Sequence, residues 1–159
     1  MGQIDTFKTD KDIQITPYDS QNDKQFVMSL IDKNPNFLSY EHAGKPAGTT
    51  EKYLTQENHY TFILRKNDNP IGFVNFAIKE DDSLGSIDLL GIGENHLRKG
   101  YGLLLIEYTI QKLKTHNISK ASLIVNKENI KAQRLYEKLG FTAASKADSL
   151  RVWHYTKKL

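Results

Sequence analysis

The 159-residue chain contains no cysteine, which excludes disulfides, thiolate metal sites and a cysteine acyl-enzyme in any compartment. No apolar run approaches the length of about eighteen residues that a membrane helix needs. The opening MGQIDTFKTDKD has no apolar signal-peptide core, which favours the cytoplasm. A formal charge of +3 is too small to argue for nucleic acid, though it helps attract an anionic ligand bearing several phosphates. The five histidines, His42, His59, His96, His116 and His154, show no paired metal-ligand spacing and no HExxH, so no metal is expected. There is no internal repeat, low-complexity block or Pro/Ser-rich linker.

Two short motifs carry little weight. Met1, Gly2 and Thr6 match the N-myristoylation pattern, which chance meets easily. Asn117-Ile118-Ser119 is a glycosylation sequon only in a secreted chain.

What is present is the balance of an ordinary globular domain, 38% hydrophobic and 26% charged. One continuous domain is read over residues 12–159, preceded by a flexible tail, 1–11. Ile13 and Ile15 alternate with polar neighbours as a strand ended by Pro17. A helix capped by Asp19 or Ser20 follows, with the stripe Phe26, Val27, Leu30 and Ile31, and Asn34-Pro35 stops it near Lys33. Through residues 36–58 the pattern weakens to a turn, a loop and a short helix capped by Thr49 or Thr50.

Residues 60–65 and 71–79 form an antiparallel hairpin about Asn67-Asp68-Asn69-Pro70, and residues 87–92 add a further strand. After Gly100 a helix carries Leu103, Ile106, Ile110 and Leu113 on one face. A strand over 121–125, a helix on Ala132, Leu135, Tyr136 and Leu139 with Gly140 as its C-terminal cap, and strands at 141–144 and 150–155 complete the chain. The implied fold is α/β (α+β): a mixed, mostly antiparallel central sheet of about seven strands with helices on both faces.

The segment IDLLGIGENHLRKGYGLLLIEYTIQKL is a strand, a glycine-rich turn and a long helix. Amide N–H groups opening a helix lack partners within it, and with the macrodipole they suit phosphate oxygens. Gly100 and Gly102 leave such a group room to approach. The Walker loop is absent, because no Lys-Ser or Lys-Thr follows the second glycine, and the dinucleotide fingerprint fails at His96. Glycines at a tight turn also occur without any ligand.

A second segment, VNKENIKAQRLYEKLGF at 125–141, joins the first in a recognisable pattern. Arg98-Lys99-Gly100-Tyr101-Gly102, then Asn129, Ala132 and Leu135-Tyr136-Glu137-Lys138-Leu139-Gly140-Phe141, resembles the GNAT acetyltransferase superfamily in residues, order and separation. The likeness covers nearly the whole chain. One departure stands out: the Gln or Arg expected three residues before Gly100 is Leu97.

The resemblance implies acetyl-coenzyme A as co-substrate and a primary amine as acceptor, with direct attack in a ternary complex. It implies a cofactor site of Leu90, Gly91, Ile92, Leu97, Arg98, Lys99, Gly100, Tyr101, Gly102, Leu103, Asn129, Ala132 and Tyr136. In such a fold the strand at Ser86 to Ile92 bulges and splays from the strand at Ser119 to Val125, and Gly91 fits a bulge or close approach. The N–H near Ile92 would stabilise the developing oxyanion, Asn129 would hold the pantetheine arm and Tyr136 would protonate the departing thiolate. By spacing alone, Tyr136 also reads as a core residue.

An ammonium must lose a proton before it attacks, and Asp88 is the candidate base, set by alternation opposite Leu89; a solvent-facing strand residue is the equal alternative. His96 would touch the cofactor or lie in a surface loop, and Trp153 reads as core. Phe37, Tyr40, Glu41, Tyr53, Glu57 and the Glu80-Asp81-Asp82 turn are candidates to line the acceptor side, or are simply solvated. No nucleic acid or membrane partner is expected, and a homodimer is compatible with the sequence. The alternative function is a non-catalytic acyl-coenzyme A sensor or interaction module with the same fold.

Overall fold

Alternating and apolar segments assemble into one sheet in the computed structural model, which describes residues 7–8, 12–33, 47–143 and 152–159. Its strands are β1 (Phe7–Lys8), β2 (Ile13–Pro17), β3 (His59–Lys66), β4 (Asn69–Lys79), β5 (Leu84–Ile92), β6 (Lys120–Asn126), β7 (Thr142–Ala143) and β8 (Val152–Lys158). They lie in the order β1-β2-β3-β4-β5-β6-β8-β7. Every pairing is antiparallel except β5 with β6. Phe7 and Lys8, inside the segment expected as a tail, pair with Ile15 and Gln14 and extend the sheet edge.

Helices α1 (Ser20–Lys33), α2 (Ala47–Thr55), α3 (Tyr101–Thr115) and α4 (Ile130–Lys138) complete the described fold. Two buried clusters divide between the sheet faces. On one, Val27, Leu30 and Ile31 of α1 and Leu54 of α2 meet Ile63, Phe73 and Leu89. On the other, Leu105, Ile106, Ile110 and Leu113 of α3 and Tyr136 of α4 meet Val74, Phe76, Ile87 and Leu123. With helices on both faces, β4 is buried continuously from Ile71 to Ile78 instead of alternating.

Local chemistry explains the boundaries. Asn67 and Asp68 take left-handed φ values of 50° and 66°, the conformation a two-residue hairpin turn demands and these residue types tolerate. Asp19 caps α1, its Oδ1 accepting from the Gln21 amide at 3.0 Å. Helix α2 begins at Ala47, so Thr49 and Thr50 are helical residues and not its caps. Its C-terminal end is fixed to the sheet instead: Thr61 Oγ1 donates to the Leu54 carbonyl at 2.7 Å, and Asn75 Nδ2 donates to the Tyr53 carbonyl at 3.1 Å and to Thr61 Oγ1 at 2.9 Å. The positions Phe37, Tyr40, Glu41 and His42 lie outside the described residues, as does the expected strand start at 150.

Candidate active site

The site is built where β5 leaves β6. Pairing between them runs from Leu84 with Lys120 to Ile87 with Leu123 and then stops, although β5 continues to Ile92 and β6 to Asn126. The gap opens beyond Ile87. Across the other edge of β5 the ladder holds: the Gly93 amide donates to the Ile71 carbonyl at 2.8 Å, in register with Gly91 opposite Phe73. Hydrogen-bonded positions alternate in an antiparallel ladder, so the amides of Leu90 and Ile92 turn away from β4 and toward the gap.

The divergence coincides with a bulge. Asn75 pairs with Leu89 but Phe76 pairs with Ile87, which leaves Asp88 as the extra residue of β5. Of the two roles expected of Gly91, the bulge falls at Asp88 instead and the close approach is found. Gly91 pairs regularly, and its missing side chain serves packing: a Cβ there would come within 2.9 Å of Leu30 Cδ2 and of Phe73 Cε1. The bulge also cancels the alternation that set Asp88 opposite Leu89. Asp88 Oδ2 lies 3.7 Å from His59 Nε2, and His59 alternates along β3 with Thr61 and Ile63 on the face of α1 and α2, where Leu89 is buried.

Past Ile92 a 3-10 turn, Glu94–His96, carries the chain to α3. Arg98 at φ 61° and Gly100 at φ 84° both take left-handed backbone before Tyr101 starts the helix. A Cβ on Gly100 would meet nothing within 4 Å, so the mouth of the helix is open as well as conformationally demanding. No side chain caps α3 and its first turn carries no acid, which leaves the positive end of the macrodipole uncompensated. Arg98 and Lys99 are exposed beside it, and Leu97 is exposed where a basic or amide residue is expected. Tyr101, Gly102 and Leu103 are half-buried in the first turn, with Gly102 facing Leu135 and Leu90. The His96 ring is 6.4 Å from that of Tyr101, and its buried Nδ1 has no hydrogen-bond partner among the described residues.

Helix α4 stands on the α3 face of the sheet. Asn129 is its N-cap, Oδ1 accepting from the Ala132 amide at 3.2 Å, so the oxygen of that side chain is already committed. Ala132 is half-buried against the core. Tyr136 is 8% exposed, its ring 6.0 Å from Phe141 and 6.4 Å from Tyr155. Tyr155 pairs with Leu123, the last β6 residue joined to β5, so Tyr136 packs near the point of divergence. Burial pushes its phenol up to about 12, which keeps the proton on the oxygen throughout the neutral range.

A profile of the acetyltransferase (GNAT) family matches residues 7–141. The chain belongs to that family. Comparison with curated protein sequences returns no match.

Solved structures resemble this GNAT domain in fold. A mutant form of the spermidine/spermine N-acetyltransferase SpeG from Vibrio cholerae superposes with a TM-score of 0.75 at 21% identity, over 94% of this chain and 95% of that one. The ribosomal-protein-S18-alanine N-acetyltransferase from Escherichia coli gives 0.71 at 17% identity, over 92% and 93%. A domain from Methanocaldococcus jannaschii gives 0.77 at 23% identity, over 94% and 100%.

The motif residues of this GNAT domain thus gather at one place: the gap, the mouth of α3 and the inner side of α4. The acceptor-side candidates spread out. The Tyr53 ring lies tilted, 5.5 Å from that of His59, whereas Glu80, Asp81 and Asp82 line a shallow cavity of about 390 Å³ with Asn58, Ile78 and Lys79, on the edge where β5 begins. Sequence reading missed His59, Ser86 and Asn75. Only the alternation of His59 with Thr61 and Ile63 hinted at a common face. No helix among the described residues is long and apolar enough to cross a membrane.

Proposed function

We propose that the chain transfers the acetyl group of acetyl-coenzyme A to a primary amine by direct attack in a ternary complex. The observation that carries this reading is the gap beyond Ile87 and Leu123, opening beneath an uncapped helix mouth that bears no acid. The amides of Tyr101, Gly102 and Leu103 and the exposed Arg98 and Lys99 suit the pyrophosphate. The gap-facing amides of Leu90 and Ile92 suit an extended pantetheine arm and the thioester oxygen, where negative charge develops as the amine attacks. Leu97 offers no polar contact here, so the cradle depends on backbone.

Tyr136 carries its phenol proton throughout the neutral range and is the group to hand one to the departing sulfur. Asn129 has its amide nitrogen to offer the pantetheine arm. Asp88, at the vertex of the gap, supplies the negative charge an ammonium needs, and we assign the base function to this corner of the site. Residues 12–159, with β1 attached, form the catalytic domain in this reading, with the cytoplasm as its setting. A Vibrio cholerae spermidine N-acetyltransferase of similar fold is described as dodecameric, and self-association of this chain is the matching proposal, open to light scattering.

Two measurements test the reading. Titration calorimetry should register acetyl-coenzyme A binding, and an assay of free thiol should show release with at least one of spermidine, an alanyl peptide or an aminoglycoside. Heat without thiol release from any amine would leave a coenzyme-binding module; no heat at all would remove the proposal.

A further inference from the structure

We propose that His59 takes the proton from the acceptor amine, with Asp88 steadying the charge that results. This rests on the transfer reading above and assigns the base function to a residue outside the two family motifs.

His59 opens β3 and projects to the α1 and α2 side of the sheet, beside the bulge. Its side chain is only 14% exposed and lies against Tyr53 of α2. Nδ1 is 3.1 Å from the carbonyl oxygen of Glu57. A carbonyl only accepts, so Nδ1 carries the hydrogen. Nε2 is 3.7 Å from Asp88 Oδ2, beyond hydrogen-bond reach. In the neutral ring the Nε2 lone pair therefore confronts a carboxylate.

Two acceptors facing each other favour whatever brings a positive charge between them. The carboxylate is held in place, because Ser86 Oγ donates to its other oxygen at 2.6 Å. The β4 residue paired with His59 is Ala77, and among the described residues Asp88 from β5 and the Tyr53 ring from α2 face the imidazole. The arrangement stands at the first β5 residue past the last β5–β6 pair, on the opposite sheet face from α3 and α4. An amine arriving from the α2 side and a thioester entering the gap would meet at this corner.

The protons balance as follows. The ammonium N–H bond breaks and its proton joins Nε2, giving an imidazolium between Asp88 and the Glu57 carbonyl; the freed pair forms the C–N bond to the thioester carbon. The C–S bond then breaks, its electrons leaving on sulfur. The nitrogen gives up a second proton as the amide forms, sulfur gains one, and His59 returns its proton to water. One proton is released per amide made.

The test uses the full chain. In nitrogen-15 spectra of the protein loaded with coenzyme A, the neutral His59 ring should carry hydrogen on Nδ1 and none on Nε2. A hydrogen on Nε2 would overturn the proposal. In the acetyl-coenzyme A assay with the amine panel, His59→Gln should lower kcat about a hundredfold. Calorimetric affinity for acetyl-coenzyme A should stay within about twofold, as contact with the amine side alone requires. With an alkylamine acceptor such as spermidine, the variant's rate should climb about tenfold per pH unit toward the amine's own pKa of about 10.4, a slope the wild type does not share. A His59→Gln enzyme that binds the coenzyme and keeps full kcat and the wild-type profile would sink the assignment while sparing the transfer reading. A wild type that binds the coenzyme yet acetylates no amine would sink both.

Discussion

One guanidinium nitrogen of Arg65, on β3, lies 2.7 Å from each carboxylate oxygen of Asp23, on α1. The Asp23 side chain is 1% exposed and also accepts from the Asp19 amide at 2.9 Å, while Arg65 Nε donates to Thr16 Oγ1 at 2.9 Å. A single ion pair thus ties the start of α1 to β2 and β3. Removing one partner of a buried pair strands the other's charge, which costs about 3 kcal/mol where the arginine keeps some solvent contact. Asp23→Ala should accordingly lower the thermal midpoint by about 6–12 °C in calorimetry. Acetyl-coenzyme A binding should be unchanged below the transition.

Tyr136→Phe should preserve the fold and coenzyme affinity while reducing turnover about a hundredfold, because only the hydroxyl that donates the proton is lost. A second readout needs no substrate. The folded state holds the phenol proton to about 12, whereas an unfolded chain releases it near 10. Stability from this residue is complete below about pH 10 and declines by up to about 3 kcal/mol as pH rises through the folded value. The phenylalanine variant should lose less stability than wild type between about pH 9 and pH 11, read by denaturant midpoints.

Gly100 and Gly85 separate conformation from space. A Cβ at Gly100 meets open solvent but would sit on a left-handed backbone, so Gly100→Ala should cost about 1–2 kcal/mol and weaken acetyl-coenzyme A binding in calorimetry. Gly85 has an ordinary φ, but a Cβ there would come within 2.4 Å of Leu113 Cδ2. Gly85→Ala should cost about 1–3 kcal/mol through overpacking and leave the dissociation constant unchanged.

Thr61→Val tests the polar anchor of α2. Valine keeps the shape but removes the donor to the Leu54 carbonyl and the acceptor for Asn75 Nδ2, at a cost of about 1–3 kcal/mol. Since Tyr53 and Leu54 end that helix, faster amide exchange should appear in α2 before the rest of the molecule.

Much of the fold was legible because its signals are local. Ile13 with Ile15, the stripe Val27, Leu30 and Ile31, and the pair Asn67-Asp68 each declare a strand, a helix or a turn within a few residues, and all three are found. The mouth of α3 was legible for a similar reason: Gly100 takes the positive φ that glycine makes available. The bulge was not. One added residue at Asp88 inverts the phase of β5, and period-two reading carries no mark of it, so the side on which Asp88 stands was misjudged. His59 was invisible for another reason. Its significance lies in meeting Asp88 across β4, a relationship set by register and by no neighbour in the chain.

Among the described residues, four residue pairs join β5 to β6, from Leu84 with Lys120 to Ile87 with Leu123. The seam is closed along only part of its length, up to Ile87 and Leu123, and open on the side where the coenzyme would enter. A guest wedged there would act as the missing stitches. Hydrogen exchange should therefore slow at Leu90 and Ile92 when the coenzyme is present and stay constant at Gly85 and Ser86, within the closed stretch.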